Sequence, residues 1–351
     1  TLSGTEGLGS EVGVNVGADS ALTLAGLSGF NQALTGGGAL NISNANRDFR
    51  FGANAGNQFA GRVNLSNVLF NLSGDNGAAL GKATLLIGRE ATVSVGAGAQ
   101  ATGSLTLGGG TTVFAEGGSL TTGTLAITDS SAIQVTPDDV TTGNLLDQDD
   151  GTQRRLVSSS NTLDEDALAK LTLQNTQGEA LGDGAVIAIT QNNGEVATGT
   201  YNYALTGVGG GLTVTAQLIK LALASGKTLA LDTAGASSKI FSAQISGAGG
   251  LALNAAGGTL TLSNAENNYT GATSIDAGTV VAGSDSALGN TAQLTTAAGA
   301  AFNLSGRAQT LGALTNNGAV TLGENGALTS GALANGGTVD IGGGALTLTD
   351  G

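Results

Sequence analysis

No cysteine, histidine, methionine or tryptophan occurs in the 351 residues, and Pro137 is the single proline. Without cysteine there is no disulfide framework and no thiolate nucleophile. Without histidine there is no Ser-His-Asp triad, and the imidazole and thiolate ligands of zinc sites are missing as well. Aromatic residues are 3% and charged residues 11% of the chain. An aromatic-lined sugar cleft would have to be built from three tyrosines, Tyr201, Tyr203 and Tyr269, and eight phenylalanines. The charge balance is strongly acidic, with a net charge of -14 and an isoelectric point near 4.1. Such a field repels nucleic acid and anionic lipid, so nucleic acid is not an expected partner. No run approaches the ~18 apolar residues of a membrane-crossing helix. A basic segment followed by an apolar one is missing at Thr1, so any signal peptide is expected to have been removed.

What is present is glycine, 61 residues of it, and 40% hydrophobic residues, with a mean hydropathy of +0.17. That is too apolar and too weakly charged for a disordered chain. The apolar residues fall in pairs, Leu-x-Leu, separated by Gly, Asn, Ser and Thr. Val14-x-Val16, Leu22-x-Leu24, Leu40-x-Ile42, Val63-x-Leu65, Leu85-x-Ile87, Leu105-x-Leu107 and Leu125-x-Ile127 carry the rhythm in the first part. Ile187-x-Ile189, Leu212-x-Val214, Leu229-x-Leu231, Leu251-x-Leu253, Leu260-x-Leu262, Val320-x-Leu322, Val339-x-Ile341 and Leu346-x-Leu348 carry it later. Alternation with period two marks short strands with one buried face. Many short, evenly spaced strands fit either an antiparallel sandwich or a parallel solenoid. Asn193-Gly194, Asn317-Gly318 and Asn325-Gly326 are hairpin-type dipeptides. Sandwich cores, however, take longer strands and larger aromatics. The recurrence of Leu-x-Leu-Ser-Asn at Asn44, Asn67 and Asn264 predicts stacked turns with asparagine amides laddering between coils. The expected fold is all-β, a right-handed parallel β-helix. At roughly 20 residues per coil and ~4.8 Å between coils, about 17 coils would make a solenoid ~80 Å long.

The rhythm stops over residues 136–170. This stretch holds Pro137, Asp138-Asp139, Asp147, Asp149-Asp150, Arg154-Arg155 and Asp164-Glu165-Asp166. Thr162-Leu163-Asp164-Glu165 reads as a helix capping box, with Ala167, Leu168, Ala169 and Lys170 continuing the helix. The reading is one solenoid, with coils over 1–135 and 171–351 and a protruding insertion with one short helix over 136–170.

One segment carries a more specific pattern: Leu251-Ala252-Leu253, Leu260-Thr261-Leu262-Ser263-Asn264, then Asn267-Asn268-Tyr269-Thr270-Gly271-Ala272-Thr273-Ser274-Ile275, Gly278-Thr279-Val280 and Ala287-Leu288-Gly289. It resembles the passenger-associated transport repeat of AIDA-type bacterial autotransporters. A second, degenerate copy runs from Asn57 through Phe59, Gly61 and Val63 to Leu65, with Ala79-Leu80-Gly81 after it. The resemblance implies a right-handed β-helix secreted through the family's own C-terminal β-barrel, which this sequence does not contain. It implies display at the outer membrane or release outside the cell, with roles in self-association, biofilm formation, virulence and adhesion. Disulfides formed in the periplasm would obstruct threading through a narrow pore, which accords with the missing cysteine. Gly271 and Gly278 are expected in turns needing a permissive backbone. Tyr269 is expected to cover a turn with its hydroxyl in solvent.

Chemistry not requiring histidine or cysteine rests on carboxylates. The candidate pairs are Asp138/Asp139, Asp149/Asp150 and Asp164/Asp166, all within the insertion, where neighbouring acids are expected to be a solvated face. Asp147-Gln148-Asp149-Asp150-Gly151 lacks the spacing of a calcium loop, and Gly207-Val208-Gly209-Gly210-Gly211 opens no helix and reads as a turn rather than a phosphate cradle. No cofactor or metal is expected. The candidate binding residues are Arg47, Arg50, Arg62, Lys82 and Arg89, clustered in one quarter of the chain, together with Asp149, Asp150, Arg154 and Arg155 in the insertion. The basic group is expected to form a positive patch that docks an anionic glycan or an acidic face of a second copy, with residues 138–166 as that face. The function expected is that of a non-enzymatic surface adhesin. It would bind copies of itself on neighbouring cells, or host matrix proteins and glycans. The alternatives are a carbohydrate-active β-helix enzyme and a passive stalk.

Overall fold

The computed structural model describes residues 1–3 and 12–349; residues 4–11 and 350–351, at the outer ends of the two expected coil segments, lie outside the described residues. The chain divides into two compact units. One comprises Thr1–Thr141, Gln153–Gly182 and Tyr203–Thr215, the other Thr142–Thr152, Asp183–Asn202 and Ala216–Gly351. In each, parallel strands stack as coils of a β-solenoid, about 16 turns in all.

In the first unit the Leu-x-Leu pairs form a seven-stranded parallel sheet from Leu2–Ser3 to Leu125–Asp129. Inward positions stack on one another through the coils: Leu40 beside Val63, Val63 beside Leu85, Leu85 beside Leu105, and Leu105 beside Leu125. All are almost fully buried, and full burial of such a side chain stabilises by ~1.5–3 kcal/mol before entropic losses. A second seven-stranded sheet, from Gly29–Phe30 to Leu171–Gln174, forms the next side of the coil. Its early strands carry Phe30, Phe49, Phe51 and Phe70, which pack edge to face with centroids 5.2 to 6.3 Å apart. Most of the chain's few aromatics are thus spent as core filler.

The second unit is organised around the thirteen-residue strand Gly250–Leu262. Along one edge it pairs with Thr228–Asp232 and Ser238–Phe241, along the other with Thr273–Ala282. Parallel coils continue from there to Ala345–Leu348. In the last described coil the alternation no longer buries its pairs: Ile341 is 42% and Leu348 45% exposed.

Three expectations are corrected. Asn44, Asn67 and Asn264 do not ladder through their amides. Asn44 closes its own turn onto the Asp48 carbonyl, Asn264 donates to the Ser242 carbonyl, and Asn67 adopts a left-handed φ of 49°. Amide ladders do occur, but at the outward middle position of the strand, as in Asn64 to Asn41 at 2.7 Å, or at a strand end, as in Asn316 to Asn335 at 2.8 Å. Those positions place successive side chains one above the other at the interstrand spacing.

The interruption, second, is neither a plain protrusion nor single-helical. Residues 136–170 form the helices α1 (Pro137–Val140), α2 (Leu145–Asp150) and α3 (Glu165–Leu168) and the strand Thr152–Ser158. That strand re-enters the stack, with Val157 beside Leu120. The cap of α3 is Asp164, whose carboxylate accepts from the Ala167 N–H at 2.8 Å, so the helix starts two residues later than a cap at Thr162 would place it and ends at Leu168.

Third, Ile187-x-Ile189 is not a solenoid strand. Ala185–Gln191 pairs antiparallel with Gly194–Thr206, and Asn192 and Asn193 take φ of 50° and 61° in the turn, as a two-residue hairpin requires. Asn317-Gly318 and Asn325-Gly326 instead join successive parallel strands.

Candidate functional site

In the transport-repeat segment, Tyr269 is completely buried rather than lying over a turn with its hydroxyl in solvent. Its hydroxyl lies 2.8 Å from Thr273 Oγ1, which lies 2.8 Å from Thr291 Oγ1, and Thr291 donates to the Gly271 carbonyl at 2.7 Å. Burial pushes the Tyr269 hydroxyl well above the usual tyrosine range, against the pull of the two threonines. Thr273 occupies an inward slot, in register with Leu251 on one side and Leu294 on the other. A polar residue at an inward position of the alternation is the signal that could have disclosed this network. Asn267 is buried as well, accepting from the Ile245 N–H at 2.7 Å and donating to the Ala287 carbonyl at 3.0 Å. Gly278 has φ of 70°, and a Cβ there would overlap the Ala255 carbonyl; a Cβ on Gly271 would overlap the Gly249 carbonyl. The latter glycine is thus required by close approach of two coils rather than by a turn. The degenerate copy repeats the arrangement: Phe59 is buried like Tyr269, and a Cβ on Gly61 would overlap the Gly38 carbonyl.

The carboxylates of the insertion hold structure together and are not uniformly solvated. Asp149 is only 3% exposed. It accepts from the Ser242 N–H at 2.6 Å, the Ser242 hydroxyl at 3.1 Å and the Ala243 N–H at 2.7 Å. Burial raises its pKa, and these donors pull it back down. Through them α2 closes the edge of the strand Ser238–Phe241. Lys239 reinforces the contact, with its ammonium 2.5 Å from Asp147 and 4.0 Å from Asp150. Asp139 lies 2.5 Å from Arg154, with the two side chains 11% and 10% exposed. Arg154 also donates to the Ala115 and Gly118 carbonyls at 2.8 and 2.9 Å. Desolvation lowers the guanidinium pKa, and Asp139 opposes that shift. Arg155 donates to the carbonyls of Gly209 and Gly210. Asp164 caps α3, while Asp138 and Asp166 are exposed. Of the four insertion residues read as binding candidates, Asp149, Arg154 and Arg155 are therefore structural anchors, and Asp150 is exposed beside Lys239.

The five basic candidates are not gathered on one strand. Arg62 opens its strand in register with Thr84, and Lys82 lies two residues before Thr84, the start of the neighbouring strand Thr84–Gly88. Arg89 follows the same strand at its far end, ~15 Å away for five residues. Arg47 shares the turns at that far end, since the Leu69 N–H donates to its carbonyl and the Asn67 N–H to that of Arg89. Arg50 lies on the next sheet, 3.7 Å from Asp48. Arg89 is bound to Asp129 at 2.7 and 3.1 Å, and that hydrogen bond, with the positive charge behind it, holds the Asp129 carboxyl below its usual range. Arg62 with Lys82, and Arg47 with Arg89, thus mark two corners of the coil. Arg50 lines a shallow open depression with Asn31, Gln32 and Phe51. Among the described residues no group of three or more acidic side chains is placed to hold a metal ion, and no helix is long and apolar enough to cross a membrane.

Parallel coils thus stack around a buried Tyr269-Thr273-Thr291 hydrogen-bond chain. Residues 257–282 match the family described as the passenger-associated-transport-repeat, a marker of autotransporter passenger domains. The match is consistent with a passenger domain of that kind and implies a place outside the cell or at its surface. It is similar to the uncharacterized protein YuaQ of Escherichia coli (strain K12), 34% identical over 348 residues that cover 92% of this chain and 24% of that protein. It is similar also to the uncharacterized lipoprotein YdeK of the same strain, 32% identical over 394 residues, covering 100% of this chain and 30% of that protein. The chain therefore spans less than a third of the length of either relative. No solved structure matches it significantly.

Proposed function

We propose that this passenger is an adhesin that holds cells together, or to a host matrix, and turns over no substrate. The observation that carries the reading is the outer surface of the coils. Outward positions present repeated hydroxyls and amides, such as Asn15 to Thr35 at 3.0 Å, Thr124 to Ser104 at 3.2 Å and Gln293 to Thr315 at 3.1 Å. These flat ladders suit many weak contacts along a surface, not capture of one small ligand in an enclosed apolar pocket. The engagement of Asp139, Asp149 and Asp164 in structural bonds supports a non-enzymatic role, because it ties up one carboxylate of each candidate pair. Copies on neighbouring cells are the partner favoured, with matrix glycans or proteins as the other target.

Display of the chain on a non-adherent bacterial strain tests this. The expected result is clumping in static culture, or retention on immobilised matrix proteins or glycans, at least fivefold above the same strain displaying an unrelated β-helix. Displayed chain that gives neither overturns the adhesive reading. Turnover of a polysaccharide lost on Asp149→Asn or Asp164→Asn would replace it with the enzymatic one.

A further inference from the structure

We infer that the strand Ala185–Gln191 is a self-association edge, on which the same strand of a second copy adds antiparallel. This rests on the adhesive reading above. The seven-residue strand ends its sheet: it pairs with Gly194–Thr206 on one side, and among the described residues no strand pairing or backbone–backbone hydrogen bond engages the other. Two other strand edges are closed by side chains. Asn161 bonds both the N–H and the carbonyl of Leu125, and Gln191 does the same for Ala230. Exposed edges are usually guarded by charge, proline or brevity. Ala185–Gln191 contains neither a charged residue nor proline, and Val186 is 63% exposed. Its unpaired backbone groups form a row that an extended segment satisfies by main-chain hydrogen bonds.

The uncharged edge and its two-fold self-pairing together select a second copy. A chain of net charge -14 repels its own kind, and a contact between copies is cheapest where neither side brings charge. In an antiparallel pair centred on Ile187, within the regular run Ala185 to Ile189, Val186 stands opposite Ala188 and Asp183 opposite Gln191, so no carboxylate meets another. Such a two-fold contact satisfies both edges at once. A seven-residue strand is ~24 Å long and buries on the order of 500–600 Å² in total, below the ~1,200–2,000 Å² of stable complexes. The contact is therefore too small to hold a dimer in dilute solution and operates where many copies face one another on cell surfaces.

Two measurements test it. In the clumping assay, the double variant Val186→Lys/Ala188→Lys is expected to clump at least fivefold less than the parent, while Val208→Lys, at a 79% exposed loop tip, clumps like the parent. Because the chain has no cysteine, a purified Ile187→Cys variant at high concentration can cross-link only to another copy. Under mild copper-phenanthroline oxidation it is expected to dimerise at least tenfold faster than Val208→Cys. If parent cells clump and the double-lysine cells clump equally, the edge is wrong and adhesion stands. If parent cells do not clump, cross-linking decides: a fast Ile187→Cys dimer keeps the edge without adhesion, and no rate difference overturns it.

Discussion

At the level of single residues, the composition set the chemistry that was possible, but burial set what each group does. Asp149 shows why. In sequence it is one of a run of acids, which ordinarily means a wet surface. In the fold its carboxylate is almost fully buried and serves backbone N–H groups ninety residues away. Nothing local distinguishes it from Asp150, which is exposed. Tyr269 was legible as a motif position but not as a core residue, because tyrosine serves either purpose until its hydroxyl finds a partner. Asp149→Ala should destabilise the chain by about 2–4 kcal/mol, since the Ser242 and Ala243 N–H groups lose their acceptor. The sign of its pH dependence follows from the raised pKa. An acid whose native pKa lies above its unfolded value of ~3.9 binds protons more tightly in the native state. Its contribution is then fully present below ~3.9 and declines as pH rises through the native pKa. The stability gap between parent and Asp149→Ala should therefore widen as thermal melts are taken from pH 7 towards pH 4. A gap that narrows on acidification would show that the three donors outweigh burial.

At the level of elements, the solenoid strands were plainly readable, because each needs only two inward apolar residues and a turn, and both are local. The hairpin at Ala185–Gln191 was not, because Ile187-x-Ile189 is the same local pattern as a coil strand; only pairing partners separate the two. The insertion shows in the sequence as a break in rhythm, and its internal structure does not, for a similar reason. Its helices are short, and α1 and α2 are held in place by contacts with residues distant in sequence. Arg154 is the clearest case. Its guanidinium joins α1, through Asp139, to the Ala115 and Gly118 carbonyls. Removing one partner of a nearly buried pair leaves the other charged and unpaired, at a cost of ~3–5 kcal/mol. Arg154→Met should lower stability by about that much, and Arg154→Met/Asp139→Leu should recover at least half of it. Chemical denaturation of the parent and both variants checks this. Equal losses in the single and double variants would mean that the carbonyl contacts, not the ion pair, hold the element.

At the level of the whole molecule, two routes to self-association make opposite demands on salt. The basic residues Arg47, Arg50, Arg62, Lys82 and Arg89 invite a docking between opposite charges, with the acidic stretch at 138–166 as the other half. In that stretch Asp139, Asp147 and Asp149 are engaged internally, Asp138, Asp150 and Asp166 are exposed, and the basic residues are divided between corners of the coil. Docking by charge would weaken steadily with added salt. An uncharged strand edge behaves in the other direction. Its bonds are indifferent to salt, and what opposes them is the mutual repulsion of chains carrying -14 each. Screening that repulsion helps, with most of the gain reached once the Debye length falls to ~8 Å at physiological ionic strength. Clumping of cells displaying the parent chain should therefore rise between ~10 and ~150 mM sodium chloride and then level off. The triple variant Arg47→Glu/Arg50→Glu/Arg62→Glu makes the chain more acidic without touching the edge, so it should clump less than the parent at ~10 mM salt and regain parental clumping at ~150 mM. Loss that persists at high salt would return the contact to the arginines.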